Sequence, residues 1–451
     1  MIIFNNEKFY RLLFPVLFVL LVVTSCSRDR GGLGNDKQPP VSGSSNAESS
    51  LPSSSVSEFN KTLVFLENSA SMDGYLTGGG GFQEVLSKLL RNIELVNDNF
   101  SFYLSNSKNY PFKSELSGFL GNLTVNSIEI GDRSTSDLNL IFRSVLDSVK
   151  KNNLGILISD GIYSISPNAQ DNLSQLKISS DETRNHFVER LREGSLETLL
   201  LKFTVPFRGM YYPVNGKPVY LNQLRPFYIW MFATPAIINK ALESNILDDF
   251  KPGSYQSARF FMTGKNSVNY TIETADATLR EGSFRPATKG YTPVSVIKNA
   301  EKASRGPKDG YFRFSVAVDF SSSPLTEAYL LNPENYQVSA PYAVESVRGF
   351  KDLSTATQDN LQQRYQGRKY THVISLQTQG NPATDNLKLR VLKNLPGWIS
   401  ATSVIKENDQ VVKNNIEQTF GFEYLVKGIS SAYDIASGSD FYYTLKFEIQ
   451  N

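Results

Sequence analysis

Glu67, Ser69 and Ser71 place three oxygen-bearing side chains at alternate positions of KTLVFLENSASMDGYLTGGGG (61–81), after an apolar run and before four glycines. Such oxygens could serve a phosphate, a serine nucleophile, a metal ion or only a turn. A phosphate loop needs Gly-Lys-Ser/Thr where the helix begins, and GGGGFQEVL offers Phe82 and no lysine. Glycines 78–81 read instead as an irregular linker or a binding lip. A serine nucleophile needs a base, and the chain has two histidines, His186 in a helical pattern and His372 in a strand-like one, both read as structural or surface residues. Glu67 and Asp160 could form an acid–base pair, but two carboxylates around a polar loop are as well explained by a cation. The reading is a binding protein and not an enzyme.

The elements that must position these residues alternate. KTLVFL (61–66), NFSFYLS (99–105), LTVNSIEI (123–130), LGILIS (154–159) and LETLLLKFTV (196–205) read as strands. FQEVLSKLLRNIEL (82–95), DLNLIFRSVLDSVKK (137–151) and DETRNHFVERLREG (181–194) read as helices. That rhythm predicts an α/β fold, a doubly wound, mostly parallel sheet with helices on both faces and ligands at the carboxyl ends of its strands. Glu67, Ser69 and Ser71, the segment DRSTSD (132–137), and Ser159 with Asp160 all fall at such ends or just before a helix.

VFLENSASM, RSTSDLNLIF and LGILISDG, in this order, resemble the three segments of a von Willebrand factor type A domain. The family holds a divalent cation, usually magnesium, with an Asp-x-Ser-x-Ser loop, a Thr from a second loop and an Asp from a third. By position the resemblance assigns Glu67 to the first Asp, Ser69 and Ser71 to the serines, Ser136 (or its neighbour Thr135) to the Thr, and Asp160 to the third-loop Asp. Mg2+ is the implied ion, with Mn2+ or Ca2+ as alternatives, and an acidic group of a partner protein is implied in its open position. Two departures accompany it: Glu stands for Asp at 67, and Ser for Thr at 136. The extra methylene carries the carboxylate about 1.5 Å further, so Glu67 either reaches the ion directly or spoils a site that demands near-octahedral bonds of about 2.1 Å. Asp73, Asp132 and Asp137 lie close enough in sequence to add charge or are simply solvated.

The start of the chain bears on location. Lys8 and Arg11 precede LLFPVLFVLLVV (12–23), and VTSC then ends in Cys26, the only cysteine. Basic, apolar and small-residue regions in that order mark a signal peptide, and the apolar run is shorter than the roughly 20 residues a spanning helix needs. VTSC is similar to the lipobox of bacterial lipoproteins, which implies lipidation of Cys26 and anchoring in the cell envelope, taken as the outer membrane. Residues 26–58, rich in Ser, Gly and Pro, follow as a tether with a reach of about 30 Å. With 46 basic against 44 acidic side chains, nothing in the charge points to nucleic acid.

The domain plan is therefore 1–25 signal peptide, 26–58 tether, 59–210 von Willebrand A-like domain, 211–253 extension or bridge, and 254–451 a β-rich, sandwich-like C-terminal region of one or two domains. Asn215 and Gly216 mark a turn between two strand-like runs. Trp230, beside Tyr228 and Phe232, reads as part of a buried core strand, with a carbohydrate-stacking face as the alternative. FEYLVKGISSAYDI (422–435) is expected to pack as a helix on the β-rich sheet. The functional expectation is partner-protein binding at the envelope through the A-like domain. The alternative is a glycan-binding or nutrient-capture lipoprotein working through the β-rich region.

Overall fold

The computed structural model describes residues 59–450 apart from 135, 150, 151, 164, 166–170, 215, 264–267, 289, 291, 306–308, 365–367, 409, 410, 415 and 416. The signal-peptide, tether, Cys26 and Thr135 readings lie outside the described residues. Among those described, no helix is long and apolar enough to cross a membrane.

The protein is a mixed α/β fold with one large sheet that contains parallel strands and with further, largely antiparallel sheets. The large sheet comprises β1 (Lys61–Glu67), β2 (Phe100–Ser105), β3 (Asn109–Phe112), β4 (Asn153–Ser159), β5 (Glu197–Tyr211), β6 (Val219–Ala233) and β7 (Tyr255–Phe261), in the order β3-β2-β1-β4-β6-β5-β7. Apolar side chains alternate across it, as the pleat requires. Val64, Leu66, Ile156 and Ile158 enter one core with α1 (Gly81–Glu94), while Leu63, Phe65 and Leu157 enter the other with α2 (Leu138–Ser148) and α3 (Asn172–Glu193).

The expectation of a mostly parallel sheet is corrected. Only β1–β2 and β1–β4 are parallel, and the other four pairings are antiparallel. The cause is a long hairpin. β4, α3 and β5 make the expected crossover, so β5 runs in the same direction as β4, but β6 folds straight back and inserts between them. A tight return needs no crossover helix.

LTVNSIEI is not a strand. It holds a 3-10 turn at Asn126–Ile128, with Leu123 and Ile128 buried in the first core. The carbonyls of Ile128 and Ile130 accept from the Asn68 side chain at 2.8 and 2.9 Å, and Ile130 also accepts from Asn106 at 3.1 Å. Side chains thus take the place of a ladder, and β3 occupies the outer edge of β2.

ARFFMTG, expected in the β-rich region, contributes to β7, which pairs with β5 at the edge of the large sheet. Beyond it lie a five-stranded sheet (Tyr336–Val338, Asp385–Leu392, Phe441–Gln450, Val296–Glu301, Ser283–Pro286) and a four-stranded sheet (Ala343–Gly349, His372–Gln379, Tyr311–Asp319, Asn269–Ile272). Both contribute to one apolar core, with Phe314, Val316 and Ile374 from one sheet and Leu389, Leu445 and Ile449 from the other.

α4 (Phe422–Ser437) forms where periodicity predicts it but packs elsewhere. Its stripe of Phe422, Leu425, Val426, Ile429 and Tyr433 lies in the large-sheet core with Leu176 and Phe187 of α3 and with Trp230, whose indole is fully buried. A chain ending near residue 250 would leave this core open.

Candidate metal centre

β1 and β4 are adjacent and parallel, so their carboxyl ends emerge together. Glu67 ends β1, Ser159 ends β4, and the next turns carry Ser69, Ser71 and Asp160. The second segment, RSTSDLNLIF, is latched to the first by Arg133. Its Nε donates to the Asn68 carbonyl at 2.7 Å, its guanidinium pairs with Asp73, and its own carbonyl accepts from the Ala70 N–H at 3.1 Å. Asp137 caps α2 through the Asn139 and Leu140 N–H groups, the usual service of Asp at that position. Ser136, just before it, is thereby turned toward Glu67.

All five residues picked from the sequence meet. The Ser136 and Ser69 hydroxyls donate to Glu67 Oε1 at 2.5 and 2.8 Å, and Ser159 donates to Glu67 Oε2. Ser71 donates to Asp160 Oδ2 at 2.5 Å, while the Ile162 N–H donates to Asp160 Oδ1 at 3.1 Å. Ser69 Oγ and Ser71 Oγ lie 2.9 Å apart. Glu67, Ser69, Ser136 and Asp160 are buried, and Ser71 is half-buried, so the cluster opens to solvent through Ser71.

Proton bookkeeping tests whether a cation fits. A serine hydroxyl has one proton. With both carboxylates ionised, Ser71 gives its proton to Asp160, and Ser69 has one proton for two acceptors, Glu67 Oε1 at 2.8 Å and Ser71 Oγ at 2.9 Å; when it goes to Glu67, the contact between the two serines brings lone pairs face to face. An octahedral ion with bonds of about 2.1 Å holds neighbouring ligand oxygens about 3 Å apart. These two hydroxyls, with Ser136, therefore fit as ligands of Mg2+, and Glu67 and Asp160 fit as the charges that orient their protons away from the ion. The extra methylene of Glu67 is accommodated, since its carboxylate gathers three hydroxyls. The fit rests on hydroxyls: among the described residues no group of three or more His, Cys, Asp or Glu is placed to hold a metal.

The electrostatics also favour a cation. Burial, and next the charge of Asp160, raise the Glu67 carboxyl from its ordinary 4.5 to about 7, against hydrogen bonds from Ser136, Ser159 and Ser69. Burial raises Asp160 too, opposed by Ser71, the Ile162 N–H and the buried Arg225. Two buried carboxylates that repel each other are costly, and Arg225 offsets the charge of Asp160 but is not among the groups that act on Glu67.

Asp73, Asp132 and Asp137 do not add charge to the cluster. Asp73 pairs with Arg133, Asp132 accepts from Ser134, and Asp137 is the helix cap. Asn68 and Arg133 are the members that sequence reasoning missed, and Ser159, singled out with Asp160 at a strand end, was given no role. Asn68 acts through backbone carbonyls, and Arg133 through backbone contacts and its pair with Asp73, which no spacing encodes. In the glycine run, a Cβ at Gly78 would meet the Pro206 carbonyl at 2.0 Å, so the residue lets this turn close on β5.

Gly161 follows Asp160 with φ +69°, and a Cβ there would meet Tyr228 Cδ2 at 2.5 Å. Gly161→Ala is expected to cost about 1–3 kcal/mol, read as a lower denaturant midpoint, and to weaken any ion-dependent stabilisation by shifting Asp160. No family model matches the chain, and neither the curated proteins nor the solved structures provide a match.

Proposed function

We propose that this chain is a lipid-anchored cell-envelope protein that binds a partner protein through a von Willebrand A-like domain with a divalent cation, Mg2+ first, in its adhesion site. Ser69, Ser71 and Ser136 are the direct ligands, and Glu67 and Asp160 supply the balancing charge. The partner's acidic side chain completes the coordination. Cys26 carries the lipid, residues 26–58 hold the folded part off the membrane, and the β-rich, sandwich-like part acts as spacer or second binding module.

One observation carries the reading: the 2.9 Å approach of the Ser69 and Ser71 hydroxyl oxygens, flanked by two buried carboxylates and open to solvent at Ser71. The resemblance of the three segments and the return of β4, α3 and β5 to a common strand direction support it further. Chemical cross-linking of the full chain in isolated envelopes tests it. The expected result is an adduct with a specific protein in Mg2+, lost in EDTA and in Ser69→Ala. An adduct indifferent to both changes would contradict the proposal.

A further inference from the structure

The distal half of the β5–β6 hairpin is a part of the large sheet that the cation cluster does not use. β5 shares the direction of β1 and β4, so it extends from the sheet edge that carries the cluster. Its pairing with β7 ends at Phe203, and that of β6 with β4 reaches only Tyr228, while the hairpin ladder continues to Tyr211 and Val219. One face of this extension is anchored, with Phe207, Tyr211, Val219 and Leu221 in the first core.

The other face is open. Met210, Tyr212, Tyr220 and Leu224 are 39–57% exposed and make up four of the ten exposed large apolar residues among those described. Cross-strand register sets Met210 against Tyr220 and Pro206 against Leu224. Such clustering marks an interaction surface, and Tyr, Met and Arg are the types that interfaces favour. A groove of about 510 Å3 joins this face to the cation loop, lined among others by Ala70, Asp73 and Thr77 on one side and Arg208, Met210 and Tyr220 on the other. Ala70 lies between the two serine ligands.

The charge of the groove selects its occupant. Asp73 is paired with Arg133, whereas Arg208 is exposed, donates to Tyr220 Oη at 3.0 Å, and has no carboxylate within ion-pair distance among the described residues. The groove thus joins an uncompensated guanidinium, an aromatic and thioether wall, and, through Ala70, the loop that carries Ser69 and Ser71. It is also pre-formed, because the Thr77 hydroxyl donates to the Arg208 carbonyl and Gly209 packs on Gly74; little ordering is needed on binding.

We infer that this groove seats an extended acidic segment of the partner protein, one acid on the cation, a second on Arg208, and an aromatic or long aliphatic side chain against Met210 and Tyr220. The inference rests on the cation site proposed above and names the partner surface that site takes.

The test is selection of a phage-displayed random dodecapeptide library on the full chain in nanodiscs with Mg2+. Selected peptides are expected to combine Asp or Glu with a neighbouring aromatic or leucine. They should bind Arg208→Ala and Tyr220→Ser about tenfold or more weakly, and both variants should keep the parent's thermal shift with Mg2+. Acidic peptides that bind both variants like the parent but fail with Ser69→Ala would sink the groove and leave the cation site standing. Peptides weakened by the groove variants yet indifferent to EDTA and Ser69→Ala would sink the cation site and this seat with it. Selection of peptides without acids, or Arg208-dependent binding to phosphatidylglycerol vesicles with no peptide selected, would overturn the inference in favour of another ligand.

Discussion

Glu67→Gln is expected to make the protein more stable than the parent at pH 8 in EDTA, by roughly 3 kcal/mol, and to remove its response to magnesium. Glu67 is fully buried, and its folded-state pKa is raised from 4.5 to about 7, first by burial and then by Asp160. A group raised in this way favours folding fully below about pH 4.5, and that advantage is lost as pH rises through about 7. At pH 8 the folded state carries the whole penalty, and a shift from 4.5 to about 7 corresponds to roughly 3 kcal/mol. Glutamine keeps the shape, and its amide oxygen still accepts from Ser69 and Ser136, but it carries no charge. Urea unfolding of the parent in EDTA should therefore show stability falling between about pH 4.5 and 7, with the fall much reduced in Glu67→Gln. With Mg2+ most of that fall should be offset, because a cation binds the ionised form. A variant less stable than the parent at pH 8, with the parent's pH slope unchanged, would mean that Glu67 carries no such burden.

Trp230→Ala is expected to cost about 3–5 kcal/mol, the range for truncating a buried aromatic residue. The indole is fully buried on β6 and lies edge-on to Phe142 of α2 at 5.3 Å and tilted to Phe422 of α4 at 6.2 Å. It therefore joins the large sheet to a helix some two hundred residues later in the chain, and the cavity would loosen both. A fall of several degrees in the thermal midpoint, with earlier hydrogen exchange in α4 as well as in β6, is the expected observation. A change within experimental error would contradict the packing. A carbohydrate-stacking role for this residue would need an exposed ring.

The apolar runs ending in polar residues gave β1 and β4 their places, and helical spacing did the same for α1, α2 and α4. The five cluster residues were readable because each sits at or near the end of such an element. Strand direction was not readable: periodicity describes faces, and β6 returns antiparallel through a hairpin whose Asn215 lies outside the described residues. LTVNSIEI alternates like a strand, yet its carbonyls are taken by Asn68 and Asn106. Those partners are 24–62 positions away, beyond any local pattern. The seat of α4 was hidden for a similar reason, since its apolar stripe fits either core and tertiary contacts choose between them.

Thermal unfolding of the full chain in EDTA and then in millimolar Mg2+, beside Ser69→Ala, tests the central claim most directly. An ion that binds only the folded state adds about 2.7 kcal/mol at a hundredfold excess over Kd, which raises the midpoint of a protein this size by a few degrees. A rise in the parent that is absent in Ser69→Ala is the predicted result. Equal midpoints with and without Mg2+, Mn2+ or Ca2+ would mean that the hydroxyl and carboxylate cluster is only a hydrogen-bonded turn and holds no ion.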